Sequence, residues 1–404
     1  MRTDFSPEFI ATDAGARANE ILRSCVHCGF CNATCPTYQL TGDELDGPRG
    51  RIYLMREFLT DGSDPDRVIH HLDRCLTCRA CETTCPSGVQ YGELAEITRF
   101  EIGPTRPGWQ GILRRFFAWA VPDPARFRWL ANMGRLVRVF MPKRIKNYIP
   151  ATVGKGVLTG PADANSETQS EVLLLNGCLQ QVTSASTNEH FVSLLEARGK
   201  RVVTLADEVC CGSLDLHAGD EPTAIKRIKA SIDVLTPHLG HLDAIISTAS
   251  GCGVTVKEYG RVMAHDSEYA ERAERLSELC LDVSEYLHNL SEEHPFAAAR
   301  PGATVAYHAP CTLQHGQKVT GFAEDTLVSA GYELTHVRDG HLCCGSAGSF
   351  SVLQPEMSGQ LKSQKLAALQ AESPDVVASS NFACQAHLAG DAEVEVVHWI
   401  ELLN

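Results

Sequence analysis

One cysteine spacing occurs twice in the first hundred residues, as Cys25-x2-Cys28-x2-Cys31-x3-Cys35-Pro36 and again as Cys75-x2-Cys78-x2-Cys81-x3-Cys85-Pro86. Two-residue gaps let a loop wrap three thiolates around one face of a metal centre, so each run commits its stretch of chain to ligation. Structural zinc is the alternative, but zinc sites draw on two separated ligand pairs, whereas each run here offers four cysteines at gaps of two, two and three. A proline follows each fourth cysteine, where its fixed φ and missing amide donor help turn the chain away. The eight candidate metal ligands are therefore Cys25, Cys28, Cys31, Cys35, Cys75, Cys78, Cys81 and Cys85.

Both runs resemble the bacterial-type ferredoxin signature, which implies two [4Fe–4S] clusters and electron carriage. In two-cluster ferredoxins the last cysteine of each run ligates the other cluster. By position, the resemblance implies Cys25, Cys28, Cys31 and Cys85 around one cluster, and Cys75, Cys78, Cys81 and Cys35 around the other. The 39 residues between the runs are too many for a compact β-rich ferredoxin. Gly47-Pro48-Arg49-Gly50-Arg51 reads as a turn opening a helix, with Ile52, Leu54, Met55, Phe58 and Leu59 largely on one side. Asp66 to Leu72 and Glu93 to Phe100 also read as helical. The expectation is an all-α two-cluster domain, like that of succinate dehydrogenase-type iron–sulfur subunits. Arg49 and Arg51 either lie beside a cluster and favour its reduced form or pair with surface acids.

The chain has 404 residues, room for two or three domains. Its seventeen cysteines would suggest disulfides in a short secreted chain. This chain is long, and its opening MRTDFSPEFIATDAGARANE lacks a signal peptide's apolar region. Reduced thiols and a cytoplasmic setting are expected. A net charge of −14 argues against general nucleic-acid binding. No apolar run reaches the roughly eighteen residues needed to cross a bilayer.

Residues 106–155 depart from that balance, with eleven Lys or Arg against one acid, Asp123. Trp109, Trp119 and Trp129 fall here, interleaved with Phe116, Phe117, Phe127 and Phe140. Such a mixture suits docking on anionic headgroups, through the tryptophans and residues such as Arg114, Arg115 and Arg126, or on an acidic partner. The alternative is a linker whose aromatics pack on the first domain. Prolines at 104, 107, 122, 124, 142 and 150 should limit it to short helices.

The second half is duplicated. Cys178, Cys210 and Cys211 align with Cys311, Cys343 and Cys344 at an offset of 133, and Cys252 with Cys384 at 132. Each unit alternates apolar strand-like runs with helical stretches: EVLLLNGC, KRVVTLADEVCCG and DAIISTASGC in the first, ATVAYHAPC, YELTHVRDGHLCCG and DVVASSNFAC in the second. Alternation of this kind predicts a parallel sheet with the cysteines at the strand carboxyl ends, where ligand sites form. The expected class is α+β multidomain: an all-α two-cluster domain over 1–103, a basic aromatic connector over 104–168, and a duplicated α/β unit over 169–290 and 299–404.

The duplicated pattern resembles the cysteine-rich CCG domain, a Cys followed by Cys-Cys-Gly and then Cys-x2-Cys, shared by heterodisulfide reductases and respiratory iron–sulfur subunits. Both copies have lost the first cysteine of the final pair, with Ala249 and Asn381 in its place, so disulfide chemistry at noncubane clusters is not expected. Cys178, Cys210, Cys211 and Cys252 remain as one four-thiol set, and Cys311, Cys343, Cys344 and Cys384 as a second. They hold one or two further clusters or are buried thiols left from an ancestral site. His308 and His315 flank Cys311 and either bind metal, transfer protons at a quinone site or are structural. Cys280 has no partner in the other copy and reads as packing.

The order of parts is similar to that of the glycolate oxidase (glycolate dehydrogenase) iron–sulfur subunit family, particularly in SCVHCGFCNATCPTYQLTGDELDGPRGRIYLMRE and HLDRCLTCRACETTCPSGVQYGEL. That resemblance implies an electron-transfer subunit without catalytic residues for the substrate. Electrons would come from FAD-containing partner subunits that oxidise glycolate to glyoxylate and leave towards quinone, with the complex peripheral on the inner face of the cell membrane. Subunits of glycerol-3-phosphate dehydrogenase, heterodisulfide reductase and thiol:fumarate reductase share the architecture and remain alternatives.

Overall fold

The computed structural model describes residues 1–103, 108–138, 153–154 and 171–404. The first stretch is helical, as the apolar spacing predicts. Helix Asp13–Ser24 is capped by the Thr12 hydroxyl, which accepts from the Gly15 amide, and Pro36, Pro48 and Pro65 each occupy a first helical turn, where a missing N–H costs nothing. Helix Pro48–Asp61 turns Ile52, Met55 and Leu59 into a core with Leu22, Leu94 and Ala95. Helix Tyr91–Ile102 runs further at both ends than its apolar pattern suggests.

The connector carries two longer helices than its prolines allow by simple count, Gly108–Ala120 and Pro124–Val137. Pro124 starts the second one, with the Asp123 carboxylate capping it by accepting from the Arg126 amide. The expected roles of Trp109, Arg115 and Phe140 fall on residues or side chains outside the described set.

Each copy of the repeat forms a four-stranded parallel sheet. The first contains β1 (Glu171–Leu175), β2 (Arg201–Val203), β3 (Ala244–Ser247) and β4 (Cys280–Asp282) in the order β2-β1-β3-β4. The second contains β5 (Thr304–His308), β6 (Glu333–Leu334), β7 (Val376–Ser379) and β8 (Glu395–His398) in the order β6-β5-β7-β8. Strands β4 and β8 go beyond what the sequence pattern shows: CLD is too short and mixed to register as a strand by alternation. Cys280 opens β4 opposite Ile245, the register position that Val396 fills opposite Val377 in the second sheet, and is buried as packing.

The two sheets share one core. Val172, Leu174 and Phe191 from the first copy pack with Val305, Tyr307, Val376 and Trp399 from the second. Polar contacts close the seam, with His398 Nε2 donating to the Thr248 carbonyl (3.0 Å) and Asn381 Nδ2 to Ser250 Oγ (3.0 Å). The helical stretch docks on both copies, through Arg79 paired with Glu258 in the first and Thr83 hydrogen-bonded to His315 Nδ1 (2.9 Å) in the second.

Candidate metal centres

The two amino-terminal runs line two adjoining pockets that share Pro48, Cys81 and Tyr91. Cys25, Cys28, Cys31, Cys81 and Cys85 line one of about 430 Å³, together with Phe30, Arg49, Ile52 and Tyr91. Cys35, Cys75, Cys78 and Cys81 line another of about 300 Å³, with Arg51, Leu76 and Tyr91. The first pocket brings Cys81 and Cys85 of the second run beside three cysteines of the first, and the second pocket brings Cys35 of the first run beside three cysteines of the second. Cys28 and Phe30 are exposed at the first pocket, whereas Cys35 and Cys81 are buried beside the second.

Left-handed turns bring the thiols inward: His27, Gly29, Thr77 and Arg79 all have positive φ. Burial and mutual repulsion push the Cys31 thiol up to about 11 and Cys78 and Cys81 well up. Burial raises Cys75 too, but Arg51 and Arg99 outweigh it and hold that thiol below its usual range. Such crowded thiols cannot ionise together without a cationic centre among them, and four of them per centre suit an iron–sulfur cube.

Arg51 lies fully buried beside the second pocket. It donates to the His71 carbonyl (2.8 Å) and Thr37 Oγ1 (3.1 Å), reaches Cys35 Sγ at 3.9 Å and approaches Asp46 at 3.8 Å. Asp46 in turn accepts from His71 Nδ1 (2.8 Å) and Arg74 (2.9 Å). Arg49 lines the first pocket and pairs with Glu44 at 2.6 Å, so it lies beside the thiols and in an ion pair at once. The Asp46 network is not legible in the sequence, since nothing in the spacing joins residues 46, 51, 71 and 74.

Each repeat gathers its four thiols at the strand carboxyl ends. Cys178 and Cys210 approach to 3.4 Å, and Cys211 contacts both Cys210 and Cys252 around a pocket of about 340 Å³. In the second copy Cys311 and Cys343 approach to 3.8 Å, and Cys344 contacts Cys343 and Cys384. The glycines after both pairs adopt positive φ, Gly212 at 85° and Gly345 at 88°, a turn that only glycine makes without strain. Burial pushes the Glu208 carboxyl up to about 7 at the first set, where it accepts from the amides of Asn176 (2.7 Å) and Gly177 (3.0 Å). Lys365 is buried near the second set, donating to the Asp339 and Gly340 carbonyls.

The metal alternative fails for His315, because Nε2 donates to the His341 carbonyl (2.9 Å) and Nδ1 is bonded to Thr83. It does not fail for His308. The second pocket and the second repeat meet: Leu76 and Cys78 pack with Cys311, Cys343, Phe350 and Leu361 in one apolar cluster.

The 4Fe-4S dicluster domain family matches residues 21–89, and the cysteine-rich domain family matches residues 172–257 and 305–389. The glycolate oxidase iron–sulfur subunit of Escherichia coli (strain K12) is 42% identical over 409 aligned residues, spanning all of this chain and 98% of that protein. The chain belongs to the glycolate oxidase iron–sulfur subunit family. A probable member from Bacillus subtilis (strain 168) is 28% identical across 95% of this chain and 93% of its own length. A fumarate reductase (CoM/CoB) subunit of Methanothermobacter marburgensis is 23% identical across 95% of this chain and 71% of that protein. Membership makes this chain an iron–sulfur electron-transfer subunit of an oxidoreductase complex. Among the described residues no helix is long and apolar enough to cross a membrane.

Proposed function

We propose that this chain relays electrons from FAD-containing partner subunits, which oxidise glycolate to glyoxylate, through clusters of its own towards a membrane quinone. In this reading Cys25, Cys28, Cys31 and Cys85 hold one [4Fe–4S] cluster and Cys35, Cys75, Cys78 and Cys81 a second, while the two repeats hold one cluster each. Bound clusters supply reversible one-electron storage; the chain supplies thiolate ligation, spacing and charge. The observation that carries the reading is that Cys78, Cys311 and Cys343 fall in one apolar cluster, which sets the thiols of the second pocket beside those of the second repeat. The exposed rim of the first pocket, with Val26, Cys28 and Phe30, gives a docking partner access to the other end.

Contact with the membrane falls to the connector helices. Ile112, Phe116 and Trp119 lie exposed at helical spacing on Gly108–Ala120, and Trp129, Met133 and Leu136 repeat that spacing on Pro124–Val137. Two apolar stripes flanked by arginine suit shallow insertion among anionic headgroups. Arg114 takes no part in the stripe, since it pairs with the buried Asp73 at 3.0 Å, and Arg126 stacks over Trp119 at 4.4 Å.

The test is iron and acid-labile sulfide per chain in anaerobically purified complex, with low-temperature electron paramagnetic resonance. Two filled repeats give about sixteen irons per chain and one filled repeat about twelve, and a count of about eight means that the cysteine-rich half is empty. A preparation loaded with zinc would overturn the whole reading.

A further inference from the structure

We propose that His308 supplies a nitrogen ligand, Nε2, to the metal centre of the second repeat, so that the two repeats hold chemically unequal centres. The proposal rests on the reading that the repeats bind clusters. His308 is the last residue of β5 and is only 2% exposed. One of its ring nitrogens and the sulfurs of Cys344 and Cys384 all lie within 4.8 Å of one another. Nδ1 is already bonded to Ser379 Oγ at 3.1 Å, whereas Nε2 is buried with no hydrogen-bond partner among the described residues. A buried ring nitrogen left over at a cluster of thiols is a ligand atom in waiting.

The serine hydroxyl can accept from Nδ1, which is the tautomer that metal binding at Nε2 requires. With the proton on Nδ1 and donated to the serine hydroxyl, the Nε2 lone pair is available to metal, the arrangement by which hydrogen bonds orient ligating histidines. The other imidazoles nearby are not available in this way. His315 has both nitrogens engaged, and His387 is bonded to Ser358 Oγ at 3.4 Å and to the Cys344 backbone.

Register shows the asymmetry. His308 stands opposite Ser379 in the β5–β7 ladder, and the same rung of the β1–β3 ladder pairs Leu175 with Ser247. Leucine offers no donor atom, so the first repeat has no imidazole at that rung. Asn381 does not make up for the cysteine lost from the second repeat: its Oδ1 accepts from the Ala383 amide (2.9 Å) and its Nδ2 donates to Ser250. The missing donor comes from a different strand. Imidazole is neutral where thiolate is anionic, so a thiolate at this position in place of the imidazole would make the centre harder to reduce.

Pulsed electron paramagnetic resonance on the partly reduced, anaerobically purified full chain, grown with ordinary and with ¹⁵N-labelled histidine, tests this directly. The expected result is a nitrogen coupling that changes isotope with the label, is lost in His308→Leu and persists in His315→Asn. His308→Cys should keep the iron, lose the coupling and lower the midpoint potential of that one signal. Should His308→Leu fail to fold, the labelled wild-type chain and His308→Cys still decide. Full iron occupancy of the repeats without nitrogen coupling, or coupling unchanged in His308→Leu, would overturn the ligand assignment alone. Iron confined to the amino-terminal half, or zinc in the second repeat, would overturn it together with the reading on which it rests.

Discussion

The guanidinium of Arg51 sits 3.9 Å from Cys35 Sγ while approaching the carboxylate of Asp46 at 3.8 Å, both in the buried interior. A positive charge fixed at that point stabilises the extra negative charge of a reduced cluster, and Asp46 keeps it in place. Arg51→Met should lower the midpoint potential of one of the two amino-terminal clusters and leave the other nearly unchanged. It should also destabilise the chain by about 3 kcal/mol, since Asp46 is left buried with fewer partners. Potentiometric titration followed by electron paramagnetic resonance checks the first, and denaturant unfolding under anaerobic conditions the second. Arg51→Lys keeps the charge but cannot serve His71, Thr37 and Asp46 together, so it should restore the potential better than the stability.

Cys78 lies where the helical half meets the second repeat, so its replacement separates a relay from a scaffold. Cys78→Ser should leave the complex assembled, with iron reduced by up to about four atoms per chain, and should abolish quinone reduction while the flavin is still reduced by substrate. Retained quinone reduction in an assembled complex would mean that the clusters serve folding only. Stopped-flow flavin absorbance and quinone turnover, measured on the same preparation, distinguish the two.

The exposed stripe on the connector predicts a partition effect. Each large apolar side chain moved from water into the bilayer interface contributes about 1.5–3 kcal/mol. Replacing Trp119, Trp129 and Leu136 by serine should therefore weaken sedimentation with anionic vesicles by at least about a hundredfold. Leu136 is 73% exposed, Trp129 61% and Trp119 50%, so the substitutions remove little internal packing beyond the stacking of Arg126 on Trp119. Unchanged vesicle binding at low salt would move the role of this face to a protein partner.

What can be read from the sequence follows from where the information is local. The eight amino-terminal cysteines and the helix after Gly47 are short-range patterns, and the repeat shows as one near-constant cysteine offset, so spacing alone exposes all three. The pocket grouping of Cys85 with Cys25 comes through a resemblance, because no local rule joins residues so far apart. Arg51 reads as a neighbour of a cluster, yet its burial against Asp46, His71 and Thr37 is a tertiary fact. The same holds for His308: its sequence neighbour Cys311 draws attention to it, but only the β5–β7 register shows one nitrogen spent on Ser379 and the other spare. His315 looks equivalent in sequence and is structural. The prolines of the connector mislead when counted as breakers, because Pro124 opens a helix.

Acid sensitivity should arise at the seam between the repeats. His398 is buried and donates from Nε2 to the Thr248 carbonyl, and burial pushes its pKa down to about 4 from the usual 6.5. The unfolded chain therefore binds a proton at this site before the folded chain does, and stability contributed by the neutral ring is present above about pH 6.5 and lost as pH falls towards 4. At pH 5 the loss from this one residue is about 2 kcal/mol. His398→Gln keeps a donor near Thr248 without a titrating group, so it should be less stable than the parent at pH 7.5 but show a shallower fall between pH 7.5 and 5. Urea unfolding followed by circular dichroism at both pH values measures the difference of differences, which cancels the contribution of every other titrating group common to the two proteins. An identical pH slope in the two would show that His398 is not the residue that couples protonation to opening of the seam.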